Sequence, residues 1–351
     1  MTNFESFKNT IADSILNYLP SELKDAEIHI EPVNKLNNQI LTGLRIMNPA
    51  RNFAPIIYLD SYFEKYERGD MSLNAILDDI AKTYQESTLE MAFSIEEFSD
   101  FELVKSRIVP RLIDGFNNDE LLVDKPHKIL NGLAVMYVVE LNRADVGRSD
   151  YASISISNQI LQEWKITEEQ LHDAAMKNLE SRTADLMTMT DVLLSLIMDD
   201  PVEKLRLQGK STEEIEEIFS EQLPPQRDLM YVLTNESRHF GASVILNSKV
   251  MDDITERIGE FYILPSSLHE VILVPREKTI FDHIMLEEIV RDINATQLDI
   301  EEKLSDLVFL YDSQTKELYR ADQEAEHLAQ VEAAKESETI MQDVFARKRG
   351  R

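Results

Sequence analysis

Phe4, Phe7, Ile11, Ile15 and Leu19 recur every three or four residues, the spacing that lines one helical face. Residues 3–18 therefore read as an amphipathic helix, which Pro20 ends. The period then changes. "AEIHIEPV" and "QILTGLRIM" read as strands, and the turn chemistry of "NKLNNQ" between them predicts a hairpin. "APIIYLD" reads as a third short strand. "SYFEKYERG" and "SLNAILDDIAKTYQEST" follow as helices, with Gly69 closing the first and Ser72 capping the second. Residues 97–123 read mainly as helix broken at Pro110.

Further along, "LAVMYVVEL" (133–141) is a nearly continuous apolar run with β-branched residues, so it predicts a buried strand. "YASISIS" alternates strictly and reads as its neighbour, joined to it by the turn-rich "NRADVGRSD". "NQILQEW" and "ITEEQLHDAAMKNLESRT" read as helices, and Thr167 with Gln170 has capping-box spacing. Residues 184–199 fit helix or strand. The acidic, Pro-flanked stretch from Asp200 to Gln226 reads as a surface insert carrying a short helix. Residues 228–275 predict a ββαββ unit: strands at "DLMYVLTN" and "ASVILN", a helix at 249–258 capped by Ser248, and strands at "FYILP" and "LHEVILVP". A helix at 279–295 and a hairpin at 306–321 come next, and residues 321–351 read as a polar helical tail ending in the basic "RKRGR".

These elements predict an α+β protein with mostly antiparallel sheets packed against helices. The 351 residues exceed what one hydrophobic core usually supports. The expected organisation is two halves, 1–125 and 126–320, with the tail at 321–351.

Charge and composition narrow the function. Lys and Arg total 36 against 65 Asp and Glu, a formal charge of −29. Phosphate backbones and anionic lipid repel such a chain, so neither nucleic acid nor a membrane is an expected partner; another protein is, a basic one among the options. No cysteine is present, which excludes disulfides, zinc–thiolate sites, iron–sulfur clusters and a cysteine nucleophile. The amino-terminal residues lack the pattern of a signal peptide, and the cytoplasm is the expected compartment.

Candidate chemistry is sparse. "LRLQGKSTEE" resembles a phosphate-binding loop, but the required first glycine is Lys204; Ser211 and Glu214 fit a capping box instead. With nine glycines in the chain, no G-x-G-x-x-G is present and no cofactor is expected. His283 and Glu287 lie four apart, as paired metal ligands can, yet one such pair is what a charged helix produces by chance, and no metal site is expected. The remaining candidate is the "PSSLHE" corner. In a strand, His269 and Glu270 point to opposite faces and cannot form an acid–base pair. Counting strands up and down places His239 and His269 at opposite ends of the sheet. The same count brings Ser266 and Ser267 near Lys249 at a helix N-terminus, where a small anion could sit; alternatively the serines satisfy backbone groups after Pro265. Candidate ligand-binding residues are thus Lys249, Ser266, Ser267, His269 and Glu270, and no residue is assigned as catalytic.

Four stretches carry a family resemblance: "APIIYLDSYFEKYERGD", "EWKITEEQLHDAAMKNL", "LMYVLTNESRHFGASVILN" and "FYILPSSLHEVILVP". Together they resemble an uncharacterised domain-of-unknown-function family of anaerobic Gram-positive bacteria and their mobile elements, over roughly residues 1–320. A second uncharacterised bacterial family is similar in its helix-then-"A-x-x-N-L" segment. The resemblance implies a bacterial cytosolic protein of mixed α and β structure, and it brings no reaction or functional residue. The leading expectation is a non-enzymatic binding or protein-interaction protein with an acidic surface. The alternatives are a hydrolase or transferase acting on a small anion at the "PSSLHE" corner, and an acidic mimic that inhibits a nucleic-acid-binding enzyme.

Overall fold

The computed structural model describes residues 3–48, 54–89, 98–141, 152–192 and 229–349, with 209, 211 and 214 singly. It has the expected α+β architecture with antiparallel sheets. The chain divides into two compact units: residues 1–109, 117–127 and 137–175, and residues 110–116, 128–136 and 176–351.

In the first unit α1 (Phe4–Ser14) is capped by Asn3, whose side chain accepts from the Ser6 amide, and a short 3-10 turn extends it to Tyr18. The strands β1 (Glu27–Asn34), β2 (Ile40–Met47) and β3 (Ile56–Tyr58) form an antiparallel three-stranded sheet in that order. The predicted hairpin pairs Glu27 with Met47 and Asn34 with Ile40. Helices α2 (Asp60–Glu67) and α3 (Leu73–Leu89) follow. Phe7, Ile11, Ile15, Leu44, Ile46, Ile76 and Ile80 share one core, so the periodic face of α1 is the buried one.

Residues 97–123 depart from expectation. Beyond the single turn α4 (Phe101–Val104), the chain forms β4 (Ile108–Asp114), and only α5 (Asp119–Leu122) is helical again. Pro110 lies inside the strand. It fits because β4 ends its sheet, where an outward position needs no amide hydrogen. Then come β5 (His127–Leu130), β6 (Leu133–Leu141) and β7 (Ala152–Ser155); the order is β4-β6-β5, with β7 paired to β6. β6 is buried from Leu133 to Val139, as its apolar run predicts. Helix α6 (Asn158–Trp164) is capped by Ser157, and α7 (Glu168–Glu180) by the reciprocal Thr167–Gln170 box. The Trp164 indole N–H donates to the Phe98 carbonyl at 2.8 Å.

The second unit is built on a six-stranded antiparallel sheet. Its strands are β8 (Ala184–Thr188), β9 (Tyr231–Asn235), β10 (Phe261–Leu264), β11 (Val271–Pro275), β12 (Phe309–Asp312) and β13 (Glu317–Arg320). The order is β13-β12-β10-β11-β9-β8. Helices α8 (Ser248–Ile258), α9 (His283–Thr296) and α10 (Glu324–Arg349) complete it. Leu286 and Val290 of α9 pack on Tyr262, Leu264, Val274 and Leu310. Phe261 and Ile263, which alternate with those residues along β10, are also buried, so the sheet is covered on both faces.

The ββαββ expectation fails at its second strand. Gly241–Leu246 is a 3-10 helix, not a strand. Ala242, Ser243, Val244 and Ile245 are all buried, and a short run buried on every side has no period to choose between strand and helix. Phe240 turns the chain into it with φ +50. Asn247, not Ser248, caps α8, accepting from the Lys249 and Val250 amides. The insert at 200–226 lies outside the described residues except at 209, 211 and 214, where Ser211 and Glu214 form the expected reciprocal box.

Candidate functional site

The "PSSLHE" corner is not part of a strand: β11 begins at Val271, and residues 268 and 269 bend. Its backbone is occupied by the segment after α9. The Leu268 amide donates to the Glu302 carbonyl, the Leu304 amide donates to the Ser266 carbonyl, and Ser267 bridges to Lys303. Ser267 is 8% exposed, and its hydroxyl accepts from the His269 backbone amide at 3.0 Å, not from the ring. The His269 ring accepts the Phe240 amide at Nδ1, 3.3 Å away, which leaves Nε2 carrying the hydrogen in the neutral form, 3.9 Å from Glu302.

Replacing the expected strand with a 3-10 helix removes one reversal of direction. His239 and His269 therefore lie together, ring centroids 5.9 Å apart, instead of at opposite ends of the sheet. Phe240 packs on His269 at 5.4 Å and lies under the Arg111 guanidinium at 3.7 Å. Thr234 donates to the His269 carbonyl at 2.7 Å. Gly241 is needed here: a β-carbon would stand 2.1 Å from the Thr234 hydroxyl and 2.5 Å from the His269 carbonyl. Lys249 is ion-paired with Glu180 at 2.8 Å, so a carboxylate already holds the ammonium assigned to an anion. Glu270 is exposed. The corner is a packed joint in which the Ser267 hydroxyl and His269 Nδ1 both accept from backbone amides and His269 Nε2 faces the Glu302 carboxylate.

A second feature is on the surface of α9. Leu286, Val290 and Asn294 form its buried face. Met285, Ile289 and Ile293, also four apart, make a parallel stripe that is exposed, and Phe281 continues it into the preceding turn. Ile280, 93% exposed, and Ile284 widen the patch. Beside the stripe run exposed Asp282, Glu288 and Asp292. Asp282 also caps the helix, accepting from the Met285 amide at 2.9 Å. The sequence carried a signal: "IFDHIMLEEIVRDI" holds more apolar positions than one buried face can take.

A third feature is a polar cavity of about 430 Å³ between the β12–β13 hairpin and the start of α10. Asp312 turns the hairpin, accepting from the Gln314 and Thr315 amides through Oδ1, while its Oδ2 holds His327 Nε2 at 2.9 Å. Burial alone would raise its carboxyl, but the His327 and amide hydrogen bonds bring it below the usual range. The hydrogen bond from Lys316, aided by Tyr311, likewise lowers Asp252. Among the described residues no group of three or more His, Asp or Glu could hold a metal ion, and no helix is long and apolar enough to cross a membrane.

Fold and surface together define an α+β chain with an acid-flanked apolar helix on its second unit. The chain belongs to a family of unknown function, DUF5688, which matches residues 4–313. No curated protein and no solved structure matches it.

Proposed function

We propose that the protein is a non-enzymatic interaction protein of the bacterial cytoplasm, and that the exposed stripe of α9 docks into an apolar groove rimmed by lysine or arginine on a partner protein. The stripe Phe281–Met285–Ile289–Ile293 carries this reading. Scattered exposed apolar residues need no explanation, whereas a contiguous ridge at helical spacing is the geometry of helix-in-groove recognition.

Each of the four side chains is about half exposed or somewhat less. Burying the remainder contributes about 0.7–1.5 kcal/mol per residue, or about 3–6 kcal/mol for the stripe. Association costs consume much of that, so the acidic row beside it has a part in choosing the partner. A second copy of the chain is a poor occupant, because two molecules of formal charge −29 repel. The hydrolase or transferase alternative has less support, since the Ser267 hydroxyl meets a backbone amide and not the imidazole.

The test is affinity capture from the producing cell with wild type and with Met285→Glu/Ile289→Glu, both checked for native circular dichroism. The reading expects a stoichiometric basic partner on the wild type, eluted by salt and weakened about 10–100-fold by the double substitution. An identical set of bound proteins on both forms would sink it.

A further inference from the structure

Met285 lies within the α9 ridge and brings to it a group its neighbours lack. Phe281, Ile289 and Ile293 carry hydrocarbon side chains, which a peroxide leaves alone, whereas the Met285 thioether has a lone pair that an oxidant can take. The chain holds no cysteine, so no thiol competes for a mild oxidant, and the methionine sulfurs are its softest nucleophiles.

The fold separates the methionines by access. Met136 and Met251 are buried, at 5% and 0% exposure. Met187 is half-buried, and its sulfur is covered by Arg238, whose guanidinium donates to Sδ at 3.6 Å. Among the described methionines the exposed ones are Met285 at 50% and Met230 at 39%; the rest are buried or half-buried. Met230 immediately precedes β9 and is no part of the α9 stripe.

We propose that Met285 is an oxidation site, at which a peroxide converts the thioether to a sulfoxide and turns the ridge from docking to non-docking. The sulfur lone pair attacks one peroxide oxygen. An S–O bond forms and the O–O bond breaks; sulfur is oxidised by two electrons, and the departing hydroxide takes the proton of the transferred oxygen and leaves as water. Hydrogen peroxide is small and uncharged, so a chain of formal charge −29 does not repel it as it repels an anionic oxidant. Because the side chain is half exposed, the new oxygen meets solvent and the fold is undisturbed. Docking would instead bury a sulfoxide dipole without a hydrogen-bond partner in an apolar groove, which opposes binding. The loss of docking rests on the α9 reading above; the oxidation site itself does not.

The experiment treats the native full chain with hydrogen peroxide and maps oxidation over time by peptide mass spectrometry. The treated protein is then run on a phenyl matrix, which reads exposed apolar surface with no partner present, and is tested for partner capture. Met285→Leu keeps an apolar side chain without a reactive sulfur, and Met230→Leu controls for the other exposed methionine. Met285 should gain its oxygen ahead of Met136, Met187 and Met251. Treated wild type and treated Met230→Leu should both elute earlier from the phenyl matrix, and treated Met285→Leu should not. Partner binding by treated wild type should fall about tenfold or more and return after treatment with methionine sulfoxide reductases. Oxidation of Met285 no faster than of the buried methionines would overturn the inference, as would a phenyl shift equally large in Met285→Leu. Failure of the switch is distinguishable from failure of the docking reading. If Met285→Glu/Ile289→Glu releases the partner and the sulfoxide does not, the switch falls and the docking reading stands. If neither releases it, the docking reading and the switch fall together, and the oxidation site is judged by the mass spectra and the phenyl elution.

Discussion

Gly241→Ala tests whether the corner around His269 is a packed structural joint. The added methyl would stand 2.1 Å from the Thr234 hydroxyl, 2.5 Å from the His269 carbonyl and 2.8 Å from the Asn235 amide. Thr234 is fully buried, and its hydroxyl donates to that same carbonyl. The methyl therefore cannot fit without separating the pair. Overpacking in a core costs about 1–3 kcal/mol. Leaving the buried hydroxyl without its acceptor adds about 1–3 kcal/mol. The expected loss is about 2–6 kcal/mol, a large part of a typical domain's stability. Urea unfolding followed by circular dichroism measures it. Trp164, the single tryptophan, lies in the other unit, so its fluorescence shows whether the loss is confined to the second unit. In a Thr234→Ala background the closest contact disappears, yet the two backbone contacts remain, so Gly241→Ala stays destabilising there. A Gly241→Ala protein within about 0.5 kcal/mol of wild type would refute the packed joint and reopen the corner as a site.

Asn247→Ala removes the cap of α8 and strands the Leu179 carbonyl, which the Asn247 amide reaches at 3.1 Å; unfolding should show a loss of about 2–4 kcal/mol, with Asn247→Asp intermediate because it restores only the acceptor. Asp312 has a lowered folded-state value, so its contribution is present above the unfolded value of about 3.9 and is lost as pH falls through the folded one. Asp312→Asn should therefore be less stable than wild type at neutral pH and show a shallower loss below about pH 4, read from unfolding free energies across that range. Met285→Glu should leave the unfolding midpoint near that of wild type, because the side chain is half exposed; a marked drop would mean the stripe is structural.

Local chemistry was the legible part of the sequence. The β1–β2 hairpin follows from alternation around "NKLNNQ", and the boxes at Thr167–Gln170 and Ser211–Glu214 depend on residues three apart. The α+β class follows from such pieces. What stayed hidden depended on context. Pro110 argues against a strand until the strand is known to be an edge. The run Ala242–Ile245 is buried on every side, so its period carried no information, and misreading it reversed the direction count and separated His239 from His269. Lys249 had no visible tie to Glu180, 69 residues away. The cavity joins Ser248, Tyr311 and His327 from three elements, a juxtaposition no local spacing announces. The α9 ridge was different: its surplus of apolar positions was on the page and needed only the buried face to be subtracted.

The central claim is that α9 docks a partner through its apolar stripe, and amide hydrogen exchange with and without the captured partner tests it most directly. The account predicts slowed exchange over residues 280–293 on binding, reversed by salt and absent in Met285→Glu/Ile289→Glu. Protection elsewhere, with 280–293 exchanging as in the free protein, would contradict it.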